Sequence, residues 1–187
     1  MTEEVFDLMG ARYNPYWGNQ DGIIRNSRER EIFEPIFLLN YTLDTKKVEW
    51  NLGFAYQTGT NSRSRLGYYN APNPDPTYYR YLPSYYINSS IGADFVNANL
   101  AKEAFLEDPQ LNWEQLYTAN TNNDDKAAYL LYDDVTEDKT LTVSTSFNAH
   151  LGDLIQLGLG GNYRSTSSEN FAEIQDLLGA AFHEDLD

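Results

Sequence analysis

The chain has 187 residues, with 13 basic and 28 acidic side chains, a net charge of −15 and no cysteine. That balance excludes a basic surface for tracking phosphates, so no nucleic acid is expected as a partner. The lack of thiols excludes a disulfide scaffold and a thiolate zinc site. Apolar runs such as Ile36-Phe37-Leu38-Leu39 are far too short for a transmembrane helix. A membrane β-barrel stays open, because alternating strands average to ordinary hydropathy.

The first residues, Met1-Thr2-Glu3-Glu4, carry neither the positive charge nor the apolar stretch of a secretory signal, so none is expected there. Four later stretches alternate with period two, which predicts strands near 30–43, 46–58, 139–150 and 154–166. Their apolar parities are Phe33, Pro35, Phe37, Leu39, Tyr41, Leu43; then Val48, Trp50, Leu52, Phe54, Tyr56. In the second pair they are Leu141, Val143, Thr145, Phe147, Ala149 and Ile155, Leu157, Leu159, Gly161, Tyr163. Each stretch is about the 9–11 residues that a tilted strand needs to cross a bilayer. Tight turns at Asp44-Thr45-Lys46 and Leu151-Gly152-Asp153 predict two hairpins.

The connection 59–138 is long, and the segment 167–187 reads as a second loop. Within the first, Asp94 is positioned to cap a helix over 95–106 with Val96, Leu100 and Ala104 on one face, and a helical turn is expected over 112–119. Asn170 and Glu173 stand in capping-box register for a third helix over 171–178, stopped by Gly179. Short turns at one end and long loops at the other are the asymmetry of outer-membrane barrels. The expected fold is mainly β: antiparallel up-and-down strands of a transmembrane β-barrel segment, with long helix-containing extracellular loops. The competing placement of the same pattern is a soluble β-sandwich face covered by the loop helices.

The wording of the loops adds a resemblance. Asn14-Pro-Tyr-Trp-Gly18, Arg25-Asn-Ser-Arg28, Tyr69-Asn-Ala-Pro-Asn-Pro74, Tyr78-Tyr-Arg-Tyr-Leu-Pro-Ser-Tyr85, Asn112-Trp-Glu-Gln-Leu-Tyr-Thr-Ala-Asn120 and Ile174-Gln-Asp-Leu-Leu-Gly179 follow one another along the chain. In that order they resemble TonB-dependent outer-membrane receptors, in the branch bearing a carboxypeptidase-regulatory-like domain. Members of that family carry a signal peptide, a plug domain and about 22 strands, whereas four strands and no plug are legible here. The resemblance therefore implies a fragment of the barrel region. It also implies the partners: outer-membrane lipid, the remainder of the receptor (plug and other barrel strands), and the energy-coupling TonB complex acting through the plug. An unidentified small nutrient is the implied ligand and the cell outer membrane the implied location. Neither enzymatic activity nor a cofactor is expected.

Aromatic residues make up 14 % of the chain and 15 of them are tyrosines. Tyr68, Tyr69, Tyr78, Tyr79, Arg80 and Tyr81 are the ligand-contact candidates, with Tyr85 and Tyr86 beside them and Pro72, Pro74, Pro76 and Pro83 between. Proline lowers the entropy lost on ordering a loop, and tyrosine offers large contact area with few rotatable bonds. Such a platform suits a peptide or glycan. Packing of the loop against its neighbours is the other use of the same residues, and Arg80 serves either by binding a carboxylate or by pairing with an aspartate. Two further function classes are a soluble secreted β-domain holding carbohydrate or peptide through this loop, and an acidic hydrolase. The acidic pairs Asp124-Asp125 and Asp133-Asp134 and the tail His183–Asp187 lack the spacing of a calcium loop, so no metal site is expected. Gly158-Leu-Gly160-Gly161 lies in a strand with no helix after it, which is not a phosphate cradle.

Overall fold

The computed structural model describes residues 2–152 and 154–184. Asp153 of the second expected turn, and Asp185, Leu186 and Asp187 of the acidic tail, lie outside the described residues. Helices and strands alternate in the order α1 (Glu3–Met9), β1 (Trp17–Gln20), β2 (Ile23–Asn26), β3 (Arg30–Phe33), β4 (Ile36–Asp44), β5 (Val48–Tyr68), then a 3₁₀ turn at Tyr79–Tyr81. They continue as α2 (Pro83–Ile87), α3 (Phe95–Glu107), α4 (Trp113–Thr121), β6 (Tyr129–His150) and β7 (Gln156–Asp176). The molecule is mainly β with antiparallel sheets, and none of its described helices is long and apolar enough to cross a membrane. The chain divides into two compact units.

The sheet unit comprises Arg30–Arg63 and Asp134–Ala172. β3 and β4 both pair antiparallel with β5 in one register, Phe33 opposite Thr60 and Ile36 opposite Gln57. They are one strand interrupted where Pro35 has no N–H to give to the ladder. The order is therefore an up-and-down meander through β5, β6 and β7. The His150 N–H donates to the Lys47 carbonyl, and the Leu151 N–H to that of Ile155. Those pairs set Leu52 opposite Thr145 and Thr145 opposite Gly161, so the apolar parities of all four strands share one face. On it Phe37 meets Phe54 edge-to-face at 6.2 Å, and Tyr41 meets Trp50 at 5.8 Å. The Trp50 indole N–H is satisfied by Thr145 Oγ1 at 2.9 Å. The opposite face is small and neutral around Gly53, Ser144 and Ser146. A Cβ on Gly53 would stand 2.7 Å from Ser144 Oγ, so this row has no space for a side chain there.

Among the described residues, nothing within the unit covers either face. Leu38, Leu39 and Tyr163 are exposed by 64 %, 58 % and 62 %, where a sandwich core would bury one set. β5, β6 and β7 are 21, 22 and 21 residues long, about 70 Å each at the usual rise, well beyond the expected 46–58, 139–150 and 154–166. The segment 59–138 therefore begins and ends as strand. The expected helix over 171–178 is corrected to strand as far as Asp176, because Asn170 takes Thr136 Oγ1 across the ladder at 2.7 Å instead of capping.

The loop unit comprises Met1–Glu29, Ser64–Asp133 and Glu173–Asp187. Helix α4 starts where Asn112 accepts from the Gln115 N–H, and it buries Trp113 and Leu116 against Leu111, Tyr129, Leu131 and Leu178. The Leu111 N–H bonds the Trp17 carbonyl at 3.2 Å, so close that a Cβ on Gly18 would lie 1.7 Å from the Leu111 oxygen. Only glycine fits that approach. A second cluster joins Val5 of α1 to Tyr13, Leu82 and Phe105. Glu4 fastens it by accepting from the Ser84 N–H and hydroxyl at 2.8 and 2.6 Å. Helix α3 has its expected Asp94 cap. Its buried face is Ala98 and Phe105, however, while Val96 and Leu100 of the predicted stripe point outward at 73 % and 56 % exposure.

Candidate functional site

The Tyr-rich segment belongs to the loop unit. Asp75 Oδ1 takes the Thr77 N–H and hydroxyl, and the Tyr78 N–H returns to the Asp75 carbonyl, closing a turn just before the tyrosines. Their rings meet edge-to-face in series: Tyr81–Tyr78 at 5.3 Å, Tyr78–Tyr79 at 4.8 Å, Tyr79–Tyr85 at 5.7 Å and Tyr85–Tyr86 at 5.3 Å. The Tyr81 hydroxyl donates to the Asn73 carbonyl, and the Asn73 amide donates to the Tyr68 hydroxyl. Of the six candidates, the fold thus gathers Tyr68, Tyr78, Tyr79, Arg80 and Tyr81. Tyr69 is set apart, with its ring 4.5 Å from that of His183 and its N–H on the Ala128 carbonyl. Consecutive residues leaving a strand diverge, which separates it from Tyr68.

Arg80 turns to its neighbour: Nε donates to the Tyr79 hydroxyl at 2.9 Å, and the guanidinium lies 5.6 Å from the ring centroid. That hydrogen bond, reinforced by one with Tyr78, holds the Tyr79 phenol below its ordinary titration range. Stacking orders the platform without burying it, and Tyr79 and Tyr85 remain 54 % and 43 % exposed. Tyr79, Tyr85 and Tyr86 line a cleft of about 680 Å³ together with the loop Asn88–Gly92 and the start of α3. Its size is within the range of small-molecule sites.

A second constellation was not predicted from sequence. Arg25 donates to Asp176 Oδ2 at 2.7 Å and to the Tyr117 hydroxyl at 3.1 Å, while its guanidinium lies 4.3 Å from the Trp113 ring centroid. Tyr117 also donates to Asp176, and Asp176 Oδ1 accepts the Leu178 N–H. Burial opposes the charge on Asp176, but the Arg25 bond, with the Leu178 N–H and Tyr117, outweighs it and lowers the carboxyl below its usual range. A carboxyl depressed by folding stabilises above its unfolded value and loses that contribution as pH falls through the folded one. Asp176→Asn is therefore expected to cost about 1 kcal/mol at neutral pH, discounted for a partly exposed pair. Melting curves of variant and parent should begin to approach one another below about pH 4 and meet only once Asp176 is protonated in the folded state.

No group of three or more His, Cys, Asp or Glu residues able to hold a metal occurs among the described residues. No family model and no curated protein matches this sequence. Among solved structures the chain is similar to one in the cryo-EM structure of the Gasdermin A3 membrane pore, with 12 % identity and a TM-score of 0.24. The likeness covers 78 % of this chain and 54 % of that one, so this chain spans about half its length. Similarity that low assigns neither fold nor function.

Proposed function

We propose that this chain forms part of the wall and the extracellular face of a TonB-dependent outer-membrane receptor that captures a nutrient. The observation that carries the reading is the uncovered apolar face of the sheet unit. It runs in five cross-strand rows, from Phe37–Tyr56–Leu141 down to Val48–Ala149–Leu157 beside the tight turns. Eight residues of rise make about 27 Å along the strand, or about 21 Å after a tilt of about 40°. The apolar band of an outer-membrane barrel is about 25 Å tall. Above it the same parity turns polar on β5, β6 and β7, with Thr58, Lys139 and Ser167 followed by Thr60, Glu137 and Glu169, while the edge strand keeps Pro35 and Phe33. Strands twice the bilayer-spanning length, with their unbroken apolar rows in the turn-proximal half, suit a wall that rises out of the membrane.

The exposed edges at β4 and β7 supply the second half of the argument. In hydrocarbon each unpaired backbone group costs several kcal/mol, so an open sheet needs further strands to complete it. The remainder of a receptor barrel would provide them, and the plug and the energy-coupling complex would act through that remainder. The resemblance of the loop sequences supplies the family.

The test is site-directed spin labelling of the assembled receptor in bilayers. Labels at Leu39, Leu52, Val143 and Leu159 are expected to be open to oxygen and closed to a water-soluble nickel chelate. Labels at Asn40, Asn51 and Ser146 should show the reverse. An aqueous or protein-buried signal at the first four positions would overturn the reading.

A further inference from the structure

We propose that the cleft between Tyr79, Tyr85 and Tyr86 and the loop Asn88–Gly92 is a binding subsite for a neutral oligosaccharide. The site lies wholly in the loop unit and does not depend on what faces the apolar side of the sheet. Failure of this proposal and failure of the membrane reading are therefore separate events.

The first ground is the tyrosine wall. The 680 Å³ cleft is walled by rings that fix one another edge-to-face, Tyr79 on Tyr85 and Tyr85 on Tyr86, while Tyr79 and Tyr85 keep about half their surface free. Arg80 fixes the Tyr79 hydroxyl from outside, so the ring is ordered before anything binds. An ordered aromatic face is what the C–H side of a pyranose stacks upon, and ordering beforehand lowers the entropy lost on binding.

The second ground is the rest of the lining. Asn88, Ser89 and Ser90 present an amide and two hydroxyls, and none of the three makes a side-chain hydrogen bond among the described residues. The backbone behind them is held by Gly92 N–H to Ser89 O and Asp94 N–H to Tyr86 O. This part of the lining therefore offers uncommitted neutral donors and acceptors on an ordered turn, matched to sugar hydroxyls. Asn97 and Ser84, also on the lining, are already taken by Asp94 and Glu4.

Charge decides the class of ligand. Asp94 is the ionised group on the lining, kept so by the Asn97 N–H, and Glu103 and Glu107 follow on the same helix in a chain of net charge −15. An anionic sugar or an acidic peptide would meet repulsion, with no cation among the described lining residues to offset it. An extended peptide would also want a strand edge for its backbone, and this cleft is bounded by helices and turns.

The test uses the assembled protein in detergent, with saturation-transfer NMR and titration calorimetry. Malto-, cello-, xylo- and mannotriose are the neutral probes, with trigalacturonate and a tetra-aspartate peptide as anionic controls. At least one neutral trisaccharide should bind saturably, with transfer strongest to ring C–H protons, and the anionic probes should not bind. Tyr79→Ala and Tyr85→Ala should each weaken binding at least tenfold. Tyr85→Phe, which keeps the ring, should stay within threefold, and Asn88→Ala with Ser89→Ala should weaken binding severalfold. The exposed positions make these variants tolerable to the fold, and circular dichroism confirms that for each. No saturable binding of any neutral trisaccharide, or binding that both alanine variants leave unchanged, would overturn the proposal, as would preference for the anionic probes.

Discussion

Asn120→Ala is expected to cost about 3–5 kcal/mol, at the upper end of what single substitutions do. Asn120 is fully buried at the end of α4. Its Nδ2 donates to the carbonyls of Tyr129, Leu177 and Leu178 at 2.8, 2.8 and 3.1 Å. Its Oδ1 accepts the N–H groups of Ala128 and Tyr129, both at 2.9 Å. One amide thus bonds backbone from the start of β6 and from the chain leaving β7. Truncation removes all five bonds, at about 1–3 kcal/mol for each buried group left without water or partner. Asn120→Leu, which restores the volume, should be no better. Asn120→Asp keeps the acceptor but turns an oxygen on three carbonyls, and it should recover part of its loss on acidification as that carboxyl takes a proton. Denaturant titrations of the three variants measure this. A loss for Asn120→Leu well below that for Asn120→Ala would mean that filled space, not the hydrogen bonds, is what matters.

Such a residue could not be found by pattern. Its partners lie up to 58 positions away, and an asparagine late in a helix ordinarily reads as fraying or a stop. Arg25 and Asp176, 151 residues apart, were hidden for the same reason. What the sequence did make legible is the phase of each strand, because period-two alternation survives wherever the two faces meet different surroundings. It fades after Tyr56, where Thr58-Gly-Thr-Asn-Ser-Arg-Ser64 is polar on both parities. There the strand runs on to Tyr68 with no difference between its faces to betray it, so its far half was not legible. At 171–178 the failure was opposite in kind. Asn170, Glu173 and an apolar i, i+3 stripe are true helix signals, and pairing with β6 overrode them. Helix α1 carried its own signals in Thr2, Glu3, Glu4 and Gly10, all of which the structure uses. The Tyr cluster was visible as composition, yet only the fold shows which tyrosines converge and that Tyr69 leaves them.

The second large effect separates lipid from water on the sheet. Leu52 sits in the middle row of the apolar face, opposite Tyr41 on one side. An arginine there is expected to cost about 2–4 kcal/mol if the row lies at the bilayer midplane. Ser146→Arg, on the other face, should cost less than about 1 kcal/mol. Moving the charge toward the turn, as in Val48→Arg, should recover most of the loss, because the cost falls to about 0–1 kcal/mol near the interface. Unfolding of the assembled receptor from liposomes by denaturant gives all three numbers. A sheet face in water would return small and similar values at all three sites. A protein-covered face would penalise Leu52→Arg but would not grade the penalty by distance from the turn. Depth dependence on one parity and indifference on the other is the signature that hydrocarbon alone imposes.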